Sequence, residues 1–345
     1  MRWVMVATFW RQTEPMTHLA EIETCDECQF VSSDYTHDDL LGTLGALAPM
    51  WRTTVEGIDE HVLATRPAPE IWSALEYAAH SRDVTRLLDL LVAAMIDQDA
   101  LVFDGEPLQP DDIGDPVTPR SIGESIDELD EAAQAMAARA QGIPEDIWGH
   151  THTWGSGTHD LAWTVGHVVH DATHHLKDVG RGLHALGVGA PSQRGRLTQI
   201  NTSDGGVPKT PVAVAEVGRA GLVGDAQNDR LHHGRPLQAL CLWSEEVIGS
   251  LRSEGHPISA GLAGENLTVS GVDWSTIRPG VRLLVGDVSV EVSAWATPCA
   301  KNAAWFADGD FNRMNHERHP GWSRAYAWVL EGGTVRAGDE VVVEP

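Results

Sequence analysis

GHVVHDATHHLKDVGR, residues 166–181, places histidines at positions 167, 170, 174 and 175. At about 100° per residue, His170 and His174 lie about 40° apart on a helix, and His167 falls within the same stripe. His175 points away from this stripe, nearer Asp171, which favours a supporting or solvated position. The pattern therefore predicts a helix with imidazoles stacked along one face and an apolar face turned towards a core.

Working outward from this segment, apolar residues keep helical spacing over most of the first half of the chain. Ser121 with Glu124 three residues later is typical of a helix start, and GVGAPS after Leu186 is a glycine and proline stop. Helices of this length predict an up-and-down four-helix bundle. The predicted helical stretches are 39–58, 70–96, 121–140 and 160–186.

The second half of the chain has the sequence pattern of a β domain. Short β-branched runs such as VAVAEV, LLVGDVSVEV and EVVVEP alternate with Gly, Asp and Pro turns. Gly286-Asp287 predicts a tight hairpin turn, and one helix is expected at 244–254. The predicted fold class is multi-domain α plus β, a four-helix bundle followed by a mostly β domain. The predicted divisions are an extension over 1–34, the bundle over 35–188 and the β domain over 189–345.

Composition limits the class of protein. The chain has 345 residues, 42% of them hydrophobic, and no apolar run near the ~20 residues needed to cross a bilayer. The opening MRWVMVATFWRQTEPM lacks a cleavage signature, so a secretory signal is not expected. Four cysteines fit a reducing compartment, and 24 Lys and Arg against 50 Asp and Glu give a net charge of −26. We expect a cytoplasmic protein that binds neither nucleic acid nor membranes.

The histidine stripe predicts a metal site. The second helical stretch contains His80 in WSALEYAAHSRDV, so a bundle that faces this helix to the histidine helix would close a three-histidine site. Three neutral nitrogens leave a coordination position open, as in catalytic zinc centres. The alternative is a set of surface histidines on a polar helix face.

WSALEYAAHSRDV and HVVHDATHHLKDVGR resemble the second and fourth helix motifs of the DinB-like superfamily, which includes mycothiol-dependent maleylpyruvate isomerases. The resemblance covers residues 35–186 and implies a metal triad of His80, His170 and His174. It also implies a divalent metal, zinc or nickel, that activates a low-molecular-weight thiol, and a homodimer.

Ahead of the bundle lies a CxxC pair, Cys25 and Cys28. Such a pair is either half of a zinc site or a redox-active dithiol. The second half of a zinc knuckle is missing from the sequence, so a reactive dithiol and a site completed by a histidine such as His37 both stay open. Two simple reduced cysteines are the remaining alternative.

Cys299 is the most distinctive residue of the β domain. Thr-Pro before it keeps the backbone extended after the strand VSVEVSAW and puts the thiol at a strand end, where sites are commonly built. Lys301 is a cation placed to lower the pKa of this thiol. Cys241, inside the apolar run LQALCLW, is expected to be a buried core residue.

GGVPK, GDAQND, HHG, AGENLT and TPCAK follow one another over residues 205–301, and in this order they resemble the MOSC domain, the C-terminal module of molybdenum cofactor sulfurases. The resemblance covers residues 195–345 and implies that Cys299 ligates molybdenum in a molybdenum cofactor or carries a persulfide. Binding of pyridoxal phosphate is implied only by association with this family. The sequence has His233-Gly234-Arg235 where the family often has HGG. The residues implied around the pterin phosphate and the pocket mouth are Lys209, His232, His233, Gly264, Glu265 and Asn266.

Three functions follow from these resemblances. The first is a molybdenum-dependent oxidoreductase that reduces N-hydroxylated small molecules, as relatives built on stand-alone MOSC domains do, with a separate reductase as electron donor. The second is a metal-dependent thiol or sulfur transferase that uses a Cys299 persulfide without molybdenum. The third is a non-enzymatic carrier of molybdenum cofactor or sulfur.

Overall fold

A computed structural model describes residues 22–103, 121–155, 157–228, 234 and 236–344. The opening segment, for which no secretory signal is expected, lies outside the described residues, and so do His232 and His233 of the predicted cofactor site. The chain divides into two compact units, Met1–Ala48 with Trp72–His175 and Pro49–Ile71 with Leu176–Pro345. The domain boundaries drawn from the sequence stay predictions.

The first half of the chain is helical, as predicted. A small sheet accompanies the helices, with strands β1 (Leu101–Phe103), β2 (Thr151–Trp154) and β3 (Gly157–Asp160). The helices within the described residues are α1 (His37–Leu44), α2 (Leu47–Val55), α3 (Glu60–Leu63), α4 (Ala74–Asp97), α5 (Ile122–Ala140) and α6 (Leu161–Ala185).

The helices α4 and α5 begin at residues whose side chains cap the first turn. Ser73 and Glu76 form a capping box at the start of α4, and the Ser121 side chain accepts a hydrogen bond from the Glu124 N–H at the start of α5. The first predicted helix differs, because the structure divides it into α1 and α2. Gly45 weakens the helix at this point, and Pro49 has no N–H to continue hydrogen bonding back towards α1.

Helix α6 separates its apolar and polar residues as the sequence pattern indicates. Val165, Val168, Val169 and Ala172 are fully buried on one side. The imidazole stripe lies on another side of the same helix, where the side chains are half-buried. Helix α4 packs against α5, and its Met95 is fully buried.

The second half of the chain forms a closed β-barrel, which confirms the predicted α plus β class. Seven strands pair in the order β11-β10-β14-β13-β12-β16-β4, and β4 pairs again with β11 to close the ring. β6 (Thr210–Val212) pairs with residues 200–202 at the end of β4. The ring strands are β4 (Gln193–Thr202), β10 (Leu240–Ser244), β11 (Leu267–Ser270), β12 (Arg282–Val285), β13 (Val288–Trp295), β14 (Ala325–Glu331) and β16 (Glu340–Val343).

Shorter elements complete the β half of the chain. The predicted hairpin is present, since Val285 pairs with Val288 across Gly286-Asp287. The predicted helix is α7 (Glu245–Ser253), which connects the parallel strands β10 and β11. The remaining strands are β5 (Asp204–Gly205), β6 (Thr210–Val212), β7 (Val214–Gly218), β8 (Gly221–Leu222), β9 (Ala226–Gln227) and β15 (Gly333–Arg336).

In the parts of the chain that the structure describes, none of the helices combines the length and the apolar character needed to cross a membrane.

Barrel closure generates a stability prediction. A Cβ added at Gly195 of β4 would lie 2.2 Å from the Ser270 carbonyl oxygen of β11, so Gly195→Ala must push the two strands apart. We expect a loss of about 1–3 kcal/mol, which lowers the thermal midpoint of a domain of this size by several degrees. Gly218→Ala is the matched control, because a Cβ there meets nothing within 4 Å. Thermal unfolding followed by near-UV circular dichroism measures the midpoints. Equal midpoints for the two variants would contradict the prediction.

Candidate functional site

A pocket of about 710 Å³, counted with its opening to solvent, lies in the C-terminal unit. Four of the predicted site residues line it: Lys209, Gly264, Asn266 and Cys299. The sequence motifs GGVPK, AGENLT and TPCAK therefore converge on one cavity. Further lining residues, not selected from the sequence, are Gln227, Asn228, Gln238, Asn302, Arg324 and Tyr326.

Cys299 is mounted on a turn between a strand and a short 3-10 helix. β13 ends four residues before it, and the 3-10 helix Ala300–Trp305 begins directly after it. The Cys299 N–H donates to the Asn302 Oδ1 at 3.4 Å, and the thiol sulfur lies 3.9 Å from the same oxygen. Asn302 in turn donates to the Ala263 carbonyl at 3.3 Å. The half-buried thiol is thus held at the pocket wall by an amide anchored on the opposite loop.

Cationic side chains line the same pocket. Lys209 pairs with Asp225, and the two side chains are only 8% and 2% exposed. Arg324 is buried and donates from Nη1 to the Ala263 carbonyl, while its buried Nε makes no hydrogen bond. Lys301 is the third cation. A guanidinium with an unused donor in a cationic pocket suits an anionic group such as a phosphate.

Backbone also forms part of the pocket wall. Gly264 has a φ of +94°, and a Cβ at this position would lie 2.9 Å from Val207 Cγ1. Only glycine leaves that space open for a ligand to approach the main chain. A soft thiol, cations and exposed backbone together fit a metal cofactor that carries a phosphate.

Glu265 is placed differently from its neighbours in the AGENLT motif. It is fully buried and does not line the pocket; its Oε1 accepts from the Gly261 N–H at 2.6 Å and from Thr268 Oγ1 at 3.3 Å. Burial raises the pKa of this carboxyl group. Glu265 therefore fixes the turn that carries Gly264.

Cys241 is buried, as predicted, and it also faces the pocket. Burial raises the pKa of its thiol to about 11. It packs with Ala296 and Tyr326 in a small apolar cluster. Cys241 therefore belongs to the wall of the pocket.

In the N-terminal unit, the structure divides the residues of the predicted metal triad between two groups. His80 lies with Asp171 and His175: its Nε2 is 3.2 Å from Asp171 Oδ1, and His175 Nε2 is 3.5 Å from the same oxygen. Burial raises the pKa of Asp171, but His175 and His80 outweigh burial and hold it well below its usual range. His80 Nδ1 and Asp171 Oδ2 are buried without hydrogen bonds.

His170 and His174 lie with Cys25 and Cys28, and one donor atom from each of the four falls within 4.8 Å of the others. The sequence marked both the CxxC pair and the histidines. Nothing in it indicated that they meet, because 142 residues separate Cys28 from His170 along the chain (170 − 28). His37, the histidine considered for this role, stacks instead on Trp148.

Glu23 is a further residue that the sequence did not single out. Its Oε1 lies 2.7 Å from His167 Nδ1 and 2.6 Å from His170 Nδ1. Burial raises the pKa of Glu23, but the two imidazoles lower it to about 2. For His170, burial lowers the pKa, and the neighbouring Cys28 and Glu23 raise it to about 11. Glu23 therefore fixes which ring nitrogen of His170 faces the cysteines.

Comparison with known proteins finds a relative of part of the chain. YflK of Bacillus subtilis (strain 168), an uncharacterized protein, is 31% identical over 135 residues, which are 39% of this chain. The chain spans 60% of the length of that relative.

Solved structures also resemble parts of the chain. YiiM from Geobacillus stearothermophilus is 25% identical, with a TM-score of 0.36 over 45% of this chain and 76% of that one. YfiT from Bacillus subtilis, a four-helix bundle, is 14% identical, with a TM-score of 0.39 over 51% of this chain and 94% of that one.

Family models match two separate segments. The DinB superfamily model matches residues 44–179. The MOSC domain model matches residues 229–342, which contain Cys299 and Arg324. The chain is therefore a fusion of a DinB superfamily domain with a MOSC domain.

Proposed function

We propose that the MOSC half binds a molybdenum cofactor in the Cys299 pocket and reduces N-hydroxylated small molecules. The observation that carries this proposal is the presence of a half-buried thiol and three cations on the wall of one pocket. A thiolate is a soft ligand suited to a heavy metal, and the cations suit the anionic phosphate of a pterin. Membership of the MOSC family supports the same cofactor.

When bound, the cofactor would supply the two-electron, oxygen-accepting chemistry that amino-acid side chains lack. Overall, the N–O bond breaks, two electrons and two protons enter, and an amine and water leave. The role of this chain is to hold and orient. Cys299 presents the thiol, and Asn302 fixes the turn on which it stands. The electrons come from a separate reductase partner in this proposal.

Lys301 and Arg324 are the residues that we assign to the phosphate. The protein carries a net charge of −26, so its surface repels anions at long range. Two cations facing a semi-enclosed pocket reverse the field locally, because desolvated charges at short range outweigh screened distant ones. Lys209 contributes less net charge, since Asp225 neutralises it.

Asp225 organises part of the pocket wall. Its Oδ1 accepts from the Ser203 N–H at 2.9 Å. Its Oδ2 accepts from Asn266 Nδ2 at 3.0 Å and Gln227 Nε2 at 3.1 Å, and it also pairs with Lys209. Three of these partners line the pocket. One buried carboxylate therefore positions three polar residues that would face the cofactor.

Molybdenum content tests the proposal. We expect near-stoichiometric molybdenum in the protein purified from a host that makes molybdenum cofactor, and loss of most of it in Cys299→Ala. Cys241→Ala is the matched control, because this second pocket thiol is buried and un-ionised. The wild type should also reduce a hydroxylamine with a chemical electron donor, whereas Cys299→Ala should not.

The outcomes separate the alternatives. Molybdenum at equal levels in Cys299→Ala and wild type would exclude Cys299 as the ligand. Bound molybdenum or persulfide without turnover of any N-hydroxylated compound would favour a carrier. Wild-type protein without molybdenum would refute the reductase.

The Asp225 network generates a second prediction. Asp225→Asn leaves the Lys209 ammonium buried without its anion, which costs about 3–5 kcal/mol. Asp225→Asn combined with Lys209→Met removes both charges and should recover much of that loss. Chemical denaturation followed by tryptophan fluorescence measures both. An Asp225→Asn variant as stable as wild type, or a double variant no better than the single one, would contradict the assigned role.

A thiol transferase is the second candidate, favoured by the group His80, Asp171 and His175. Their donor atoms lie within 4.8 Å of one another, and His80 Nδ1 and Asp171 Oδ2 have no other hydrogen bond. Three protein ligands leave coordination positions open for a thiolate, which a divalent metal activates. This group shares only His80 with the triad implied by the sequence resemblance.

Metal analysis of His80→Ala tests this second candidate. We expect this variant to lose divalent metal and thiol-dependent transfer activity that His61→Ala keeps, since His61 is exposed and outside the group. Unchanged metal content and activity in His80→Ala would eliminate the transferase site.

A further inference from the structure

The CxxC pair has so far no part in either proposed activity. Cys25, Cys28, His170 and His174 supply two sulfur and two nitrogen donors, the donor set that zinc prefers in closed tetrahedral sites. We propose that these four residues bind one zinc ion that fastens the segment before α1 to helix α6. This site is separate from the His80 group and does not depend on the proposed MOSC activity.

The spacing of the donors fits zinc. Zinc–sulfur bonds of about 2.3 Å and zinc–nitrogen bonds of about 2.0 Å, at tetrahedral angles, put a sulfur and a nitrogen ligand about 3.5 Å apart. Cys25 Sγ and His174 Nδ1 are 3.6 Å apart in the structure. The four donor atoms lie within 4.8 Å of one another, so a small movement is enough for all four to reach one ion.

His170 is already oriented as a ligand. Its Nδ1 is engaged by Glu23 Oε1 at 2.6 Å, which directs Nε2 towards the cysteines, where zinc would replace the Nε2 proton. That Nε2 is buried and lies beside Cys28. A carboxylate on the far nitrogen of a metal-binding imidazole is a recurrent feature of zinc sites, because it fixes the ring and increases its basicity.

The backbone around the CxxC pair is shaped to present both sulfurs. Thr24 and Val31 form a β-bridge, and the Cys25 N–H donates to the Phe30 carbonyl at 2.9 Å. Gln29 adopts a φ of +64°, which closes the turn after Cys28. Phe30 stacks on His170 with ring centroids 4.5 Å apart. The turn that carries the two cysteines therefore already packs against the histidine helix through Phe30 and His170.

Four protein donors fill a tetrahedral zinc site, so water and substrate have no place on the ion. The proposed zinc is therefore structural. It gives the short segment before α1 an attachment to α6 through metal–ligand bonds. A redox-active dithiol would use the two sulfurs alone and would give the histidines no role.

Cobalt substitution of the full chain tests the ligand set. Co²⁺ added to the metal-free protein should give intense tetrahedral ligand-field bands and a near-ultraviolet thiolate-to-cobalt band, and Zn²⁺ should displace it. Cys25→Ser and Cys28→Ser should each lose about half of the thiolate band, and the double variant all of it. Cys241→Ala and Cys299→Ala are matched controls that should keep it, as should His80→Ala. Glu23→Gln should keep the spectrum but weaken zinc affinity about 10–100-fold.

A measurement on the unaltered protein guards against variants that fail to fold. Zn²⁺ should protect Cys25 and Cys28 from alkylation, read by peptide mass spectrometry, and leave the labelling of Cys299 unchanged. A thiolate band that survives the double cysteine variant, or is lost in a folded His80→Ala, would overturn the ligand set. Equal alkylation of Cys25 and Cys28 with and without Zn²⁺ would overturn the site itself.

Discussion

The hydrogen bonds that close the barrel between β4 and β11 are the constraint on which the C-terminal pocket depends. Asn201, just past the last paired residues of the two strands, donates its N–H to the Asn266 carbonyl at 2.7 Å. The Asn266 N–H in turn donates to the Cys241 carbonyl at 2.7 Å. Asn266 is therefore fixed from two neighbouring strands. The turn before it, which carries Gly264, is fixed with it, because Glu265 binds the Gly261 N–H at 2.6 Å.

A second strand register brings the thiol and the arginine together. Trp295 at the end of β13 pairs with Ala325 at the start of β14. The pairing continues past the strands, since the Ala296 N–H donates to the Arg324 carbonyl at 2.8 Å. Cys299 and Arg324 thus reach one pocket from adjacent antiparallel strands, although 25 residues separate them (324 − 299). Reactive groups on loops gain their precision from the rigid strands that carry the loops.

The sequence predicted the helices, strands and turns well, because these elements depend on local patterns. Of the ten predicted site residues, four line the C-terminal pocket. Helical periodicity, the Ser121 start and the 286–287 turn are visible within a few neighbouring residues. Asp225 and Glu23 were missed because their importance lies in contacts with residues distant in the chain. Glu265 was expected at the pocket but does not line it. A motif shows which residues are close in sequence, but it does not show which way each side chain turns.

The division of the predicted triad has a simple geometric cause in helix α6. His170 and His174 form one pair at a spacing of four residues, and Asp171 and His175 form another, displaced by one residue. One residue rotates a helix by about 100°, so the two pairs face different neighbours. The first pair faces Cys25 and Cys28, and the second faces His80. A single helix can therefore contribute to two donor groups that share no ligand. A ligand assignment that is wrong by one residue along this helix moves a histidine from one group to the other.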